Sequence, residues 1–253
     1  MVSKRWSKLV KSLQIKKYRN ENQLFFIEGA KSILEVIRSN RFFIEKLFVT
    51  EAFYTELVDN EIQLPDIEIV TTKDLNQLGT LISNKTGLAV VKMPKKLPTF
   101  NPDSYTVVLD NLQDPGNLGT IIRICDWYCI SNIICSFNTV DLYNYKVIQA
   151  SMGSFTRVQV YYCDLPEILY KYTSTTTYGM FLEGESVHNI DFEQDNGFIV
   201  LGNEANGISV EVNNFIDRKV TIPKYGAAES LNVGIATAIV LDNLKRKQTG
   251  NSL

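Results

Sequence analysis

The sequence predicts an α/β protein in two parts, residues 1–96 and residues 97–253, with a parallel sheet in the second. Three observations predict it. Short apolar runs alternate with stretches of helical spacing along most of the chain. A segment with three prolines, MPKKLPTFNPDSY (93–105), interrupts the alternation once and reads as a linker. The charge reverses at the same place. Residues 1–96 hold 16 basic against 11 acidic side chains, whereas residues 97–253 hold 10 against 17.

In the first part, AKSILEVIRS (30–39) carries Ile33, Leu34 and Ile37 at helical spacing. IEKLFVT (44–50) predicts a strand and AFYTELVDN (52–60) a helix. IEIV (67–70), TKDLNQLGT (72–80) and GLAVVK (87–92) predict strand, short helix and closing strand. In the second part, strands are predicted at 106–110, 132–135, 157–161, 178–182, 198–202 and 219–223. Helices are predicted around 117–128, 145–151, 165–172 and 228–247. Near-continuous apolar strands separated by helices indicate a parallel sheet covered on both faces.

Composition excludes several classes. With 253 residues, 45% hydrophobic, 21% charged and a net charge of −2, the chain is neither fibrous nor generally disordered. No apolar stretch approaches the roughly 20 residues that a membrane helix needs. The N-terminus, MVSKRWSKLVKSLQ, lacks an apolar core for secretion, so a cytoplasmic protein without membrane contact is expected. Cys125, Cys129, Cys135 and Cys163 form no C-x-x-C pair and His188 is the only histidine, so no zinc site is expected. For the same reason a serine or cysteine nucleophile paired with histidine is not expected. The cluster Lys4, Arg5, Lys8, Lys11, Lys16, Lys17 and Arg19 contains no acid. It reads either as a phosphate-binding arm or as a solvated basic helix end or frayed tail.

Ligands of parallel sheets bind at loops that follow the strands' C-terminal ends. That rule selects DNLQDPGN after 106–110, GNEANG after 198–202 and PKYGAAES after 219–223. Neither G-x-G-x-x-G nor a P-loop is present, which disfavours the usual NAD and ATP sites. Gly202, Gly207 and Gly226 allow close backbone approach or positive φ, and each is equally able to serve an ordinary turn.

At these loops the sequence resembles a known family. DPGNLGTIIR (114–123), IVLGNEANGIS (199–209) and IPKYGAAESLNVGIATAIVL (222–241) are similar, in order, to the three motifs of the SpoU/TrmH RNA 2′-O-ribose methyltransferases of the SPOUT superfamily. KVIQASMGSFTRVQV (146–160) resembles the family's stretch between its first two motifs. NQLFFIEGAKSILEVI (22–37) resembles the small α/β substrate-binding domain that many members carry before the catalytic one.

The resemblance implies a C-terminal SPOUT domain with a parallel sheet and a trefoil knot, an arrangement that pattern alone does not give. It implies S-adenosyl-L-methionine as cofactor, RNA as partner and a homodimer, with no metal. Carried over by position, the cofactor contacts fall on Leu201, Gly202, Ile222 and Leu231, with Asn203 and Gly226 shaping the loops. The polar positions fall on Asn117, Arg123, Glu204, Ser230 and Asn232. The implied reaction methylates a ribose 2′-hydroxyl of RNA, rRNA ahead of tRNA, with both classes open. Arg123, as a guanidinium, suits phosphate binding and alkoxide stabilisation better than proton abstraction. Glu204 suits orienting Arg123 or accepting the proton. Asn117, Ser230 and Asn232 stand near helix starts, where capping competes with catalysis. RICDWYCIS departs from the family's small-residue run, and Gly234 stands where the family commonly has serine. The alternative is an RNA-binding or ribosome-assembly protein that keeps the fold without methylating.

Overall fold

The computed structural model describes residues 2–60, 66–95, 99–192 and 195–248. The chain divides into two compact units, Met1–Lys96 with Asp141–Thr156, and Leu97–Val140 with Arg157–Leu253. The boundary expected at 96/97 lies outside the described residues. The grouping of Asp141–Thr156 with the first unit departs from the expected domain 97–253.

The first unit begins with two helices, which carry the basic cluster. Helix α1 (Lys4–Ser12) starts where Ser3 accepts the Trp6 N–H, and α2 (Lys16–Asn22) ends at Gln23 with φ of 54°. Strand β1 (Leu24–Glu28) follows, then α3 (Ala30–Ser39), β2 (Ile44–Val49) and α4 (Glu51–Asp59). Strand β3 (Ile67–Ile69), α5 (Thr72–Leu78) and β4 (Gly87–Lys92) complete the run. Thr50 caps α4, and Thr71 with Asp74 makes a capping box on α5. The sheet order is β1-β4-β2-β3, mixed in direction, because only β2 and β3 run parallel. Val10 and Leu13 of the N-terminal arm are fully buried against Phe26, Phe48 and Leu88, and the Trp6 ring meets Phe48 edge-on at 5.9 Å. The apolar face of α1 is therefore core, and its lysines are left outward.

Asp141–Thr156 belongs to this unit through specific contacts. It carries α7 (Tyr145–Ser151), at the bounds predicted, and a 3-10 turn at Ser154–Thr156. Tyr143 and Phe155 pack on Phe25 with ring centroids 4.6 and 6.2 Å away. Gln149 donates to the Thr80 hydroxyl, and Thr80 in turn donates to the buried Glu28 carboxylate.

The second unit holds β5 (Thr106–Leu109), α6 (Pro115–Trp127), β6 (Asn132–Ser136), β7 (Gln159–Cys163), α8 (Leu165–Lys171) and β8 (Thr177–Ser186). It continues through β9 (Phe198–Leu201), α9 (Val210–Asn213) and β10 (Arg218–Thr221) to α10 (Val233–Gln248). All six strands pair in parallel in the order β10-β8-β9-β5-β6-β7. Strands β5 and β9 at the centre are fully buried, which explains their unbroken apolar runs. The later part of the expected linker is packed, since the Phe100 ring lies against Tyr161, Tyr172 and Phe198. Among the described residues no helix is long and apolar enough to cross a membrane.

Candidate active site

The site lies where β5, β9 and β10 end, because parallel strands bring their C-terminal loops to one edge of the sheet. The first loop runs from β5 into α6. Asp114 caps that helix by accepting the Asn117 N–H at 2.8 Å, with Pro115 at its first position. The cap is thus Asp114, which leaves the Asn117 side chain for other work. An Asp-Pro pair before an apolar helical stretch is a signal that could have shown this from sequence.

The second loop is a short closed turn. Asn203 and Gly207 exchange two backbone hydrogen bonds of 2.9 Å. Gly207 has φ of +68°, and a Cβ on Gly202 would fall onto the Gly207 carbonyl carbon and the Ile208 nitrogen. Only glycine permits this closure. Glu204 projects from the turn.

The third loop, 222–232, has no regular structure. The expected helix from 228 starts at Val233, because Asn232 caps it by accepting the Gly234 N–H at 2.9 Å. The same side chain donates from Nδ2 to Asn117 Oδ1 at 2.8 Å, and Asn117 Nδ2 donates to Glu204 Oε1 at 2.8 Å. Asn232 therefore both caps α10 and bonds to Asn117. One residue from each of the three loops thus joins a directed chain, Asn232 to Asn117 to Glu204. The chain ends on a carboxylate, which only accepts when ionised.

The remaining expected residues are placed as follows. Arg123 is exposed on α6, six residues beyond Asn117, so roughly 9 Å along the axis and on another face. Glu204 does not orient it; the described partner of Glu204 is Asn117. Ser230 is exposed without a described hydrogen bond. Leu201 is buried, Gly202 and Ile222 are half-buried, and Gly226 and Leu231 are exposed. Asn203 spends its side chain on the loop: Oδ1 accepts the Ala205 and Asn206 N–H groups, and Nδ2 donates to the Asn111 carbonyl at 2.8 Å. Sequence reasoning missed Asp110 and Asn111, which anchor the first two loops.

Among the described residues, 222–231 make no backbone–backbone hydrogen bond, and no atom stands within 4 Å of a Cβ built on Gly226. Leu231 is 50% exposed beside these free donors and acceptors. Unpaired backbone polar groups next to an apolar side chain fit an adenosine-like ligand, which needs both. Among the described residues no group of three His, Cys, Asp or Glu could hold a metal ion.

Of the basic cluster, Lys4, Arg5, Lys8, Lys11 and Lys16 are exposed and lack a described ion pair, while Lys17 pairs with Glu21 at 3.8 Å. Arg19 is a correction to the expected RNA contact. It is 2% exposed and its guanidinium is consumed by Asp141 Oδ2 at 2.6 and 3.0 Å and by the Leu13 and Gln14 carbonyls at 2.9 Å.

The SpoU rRNA Methylase family model matches residues 104–242, and the MRM3-like substrate binding domain matches residues 7–81. A Bacillus subtilis protein named 23S rRNA (guanosine(2553)-2′-O)-methyltransferase RlmP is 28% identical over 239 residues, 93% of this chain and 94% of its own. An Aquifex aeolicus tRNA (guanosine(18)-2′-O)-methyltransferase is 29% identical over 148 residues, 56% of this chain and 69% of its own. A solved structure of a putative RNA methyltransferase of the TrmH family from Porphyromonas gingivalis superposes with a TM-score of 0.86 at 32% identity, covering 98% of this chain and 99% of that one.

Proposed function

Because the chain belongs to the SpoU rRNA Methylase family, we propose that it methylates a ribose 2′-hydroxyl of RNA, with ribosomal RNA as substrate class. The observation that carries the site reading is the chain of side-chain hydrogen bonds from Asn232 through Asn117 to Glu204. The rRNA reading is supported by the extent of the likeness: the 23S rRNA enzyme matches along 93% of this chain, the tRNA enzyme along 56%.

S-adenosylmethionine, when bound, supplies an electrophilic methyl group on a sulfonium sulfur. The third loop and Gly202 would hold it, by backbone groups and the Leu231 side chain. The protein's task is then to make an alcohol oxygen nucleophilic and keep it in line. Asn117 fixes one oxygen of Glu204 and leaves the other to accept the hydroxyl proton. Arg123 binds the phosphate beside the target ribose and stabilises the developing alkoxide. Ser230 orients the ribose from the third loop.

Lys4, Arg5, Lys8, Lys11 and Lys16 would grip RNA phosphates from the first unit, where residues 1–96 carry 16 basic against 11 acidic side chains. A homodimer through α6 and α10 is part of this reading, because Trp127 and Ile235 on these mutually packed helices are 81% and 52% exposed. So is the trefoil knot that the family resemblance implies. The cytoplasm is the compartment where such RNA is met.

Mapping 2′-O-methyl sites in total RNA from cells with and without the protein tests the activity. One ribose in rRNA should lose its methyl group, and an unchanged map would sink the reading. With purified protein, Glu204→Gln should cut turnover by about 100-fold or more. If Arg123→Lys kept full turnover, the fork geometry assigned to Arg123 would be wrong.

A further inference from the structure

The structure assigns Asp110 a positioning role: together with Asn111 it pegs the turn that carries Glu204 to the end of β5. This rests on the reading of Glu204 given above. Asp110 follows the last residue of β5 and continues its ladder, donating its N–H to the Leu201 carbonyl at 2.9 Å. Its carboxylate is 3% exposed and accepts the Ser209 N–H through Oδ2 at 2.7 Å. Ser209 is the residue that caps α9, so the peg grips the far end of the Glu204 turn. The near end is gripped one residue later, where the Asn111 carbonyl accepts from Asn203 Nδ2 at 2.8 Å. Asn111 reaches that position only by adopting φ of +58°, a left-handed conformation, and its N–H is held by the Ser136 hydroxyl at 2.9 Å.

The two grips have one consequence. Asn203 and Gly207 close the turn upon itself, and adjacent residues 110 and 111 hold it on either side of Glu204. Asn117 lies only seven residues beyond Asp110 on the same segment. The distance from Asn117 to Glu204 is therefore set by this short rigid path and not by the long chain route through β9. Among the described residues no cation pairs with Asp110. A buried carboxylate satisfied by a backbone N–H alone is costly, and a neutral residue would build a more stable corner. What the turn needs here is an acceptor oxygen held 2.7 Å from the Ser209 N–H.

Asp110→Ala, Asp110→Asn and the double variant Asp110→Ala/Glu204→Gln test the assignment. Methyl transfer is read with tritiated S-adenosylmethionine and total ribosomal RNA from cells lacking the protein. Cofactor affinity is read by calorimetry, and Tm is recorded for each variant. Misplacing a catalytic group by about 1 Å costs on the order of 100-fold in turnover. Asp110→Ala should lower kcat by that order while the Kd for S-adenosylmethionine stays within about threefold. Asp110→Asn retains an acceptor oxygen and should recover most of the loss. In the Glu204→Gln background, Asp110→Ala should cost nothing further. Equal, additive losses in both backgrounds would overturn the assignment, as would a normal kcat in Asp110→Ala. Hydrogen exchange at Ala205, Asn206 and Gly207 gives a readout independent of substrate and of folding stability elsewhere. It should accelerate at least tenfold in Asp110→Ala and hardly in Asp110→Asn; unchanged exchange would refute the peg. Wild-type protein that transfers no methyl group would instead count against the activity, leaving the exchange result to decide the peg.

Discussion

Breaking the Arg19–Asp141 pair should destabilise the first unit far more than any exposed ion pair would. The guanidinium is 2% exposed and its carboxylate partner 14%, so neither charge has water to fall back on. Arg19 donates four hydrogen bonds, two to Asp141 and two to the carbonyls of Leu13 and Gln14. Removing one partner of a buried pair costs about 3–5 kcal/mol, because the other charge stays buried and uncompensated. Asp141→Ala and Arg19→Met should each fall in that range. The double variant should cost clearly less than the two combined, with a coupling of about 2 kcal/mol or more. Urea unfolding followed by Trp6 fluorescence measures this. A Trp127→Phe background makes Trp6 the sole tryptophan, since the chain has two. With a slope of about 2 kcal/mol per molar urea, each single change shifts the midpoint by roughly 1.5–2.5 M. Losses below about 1 kcal/mol, the range of exposed pairs, would refute the burial argument. Arg19→Met should also leave the salt slope of RNA binding unchanged.

Neutralising Lys4, Arg5, Lys8 and Lys11 together should weaken RNA binding and reduce the slope of log K against log salt by about 3. An unchanged affinity for total ribosomal RNA at low salt would mean that α1 only packs. Trp127→Glu with Ile235→Glu should shift sedimentation from dimer to monomer while the far-UV circular dichroism stays that of the folded chain, since both side chains are exposed on a single protomer. An unaltered sedimentation coefficient would remove α6 and α10 from the interface. The Cys163 thiol is pushed up to about 11 by burial and by the Asp164 and Glu167 carboxylates, from an ordinary 9.0. A raised thiol pKa means less thiolate below it, so at pH 8 the thiolate fraction falls roughly 100-fold. Iodoacetamide should spare Cys163 at pH 8 and label it only as the pH approaches 11; rapid labelling at pH 8 contradicts this.

The parallel sheet was legible because β5 and β9 are buried on both faces, and such burial writes itself into sequence as unbroken apolar runs. Helix α7 was legible to the residue, since Asn144 caps it and Met152 ends it in a left-handed conformation. The three loops were legible as a set, because a parallel sheet leaves few other places for glycine and amide side chains to gather. What lay beyond reach was pairing at long range. Nothing local distinguishes Arg19 from Lys16 or Lys17, yet it alone turns inward, because a carboxylate 122 residues away meets it. At the site, the family resemblance leaves Glu204 either to orient Arg123 or to accept the proton. The geometry joins Glu204 to Asn117 rather than to Arg123. Asp114 takes the helix cap, which frees the Asn117 amide, and the Asp110–Asn111 corner brings the Glu204 turn within hydrogen-bond reach of it. Which side chain caps a helix and which is spared from capping thus decides the hydrogen-bond chain at this edge.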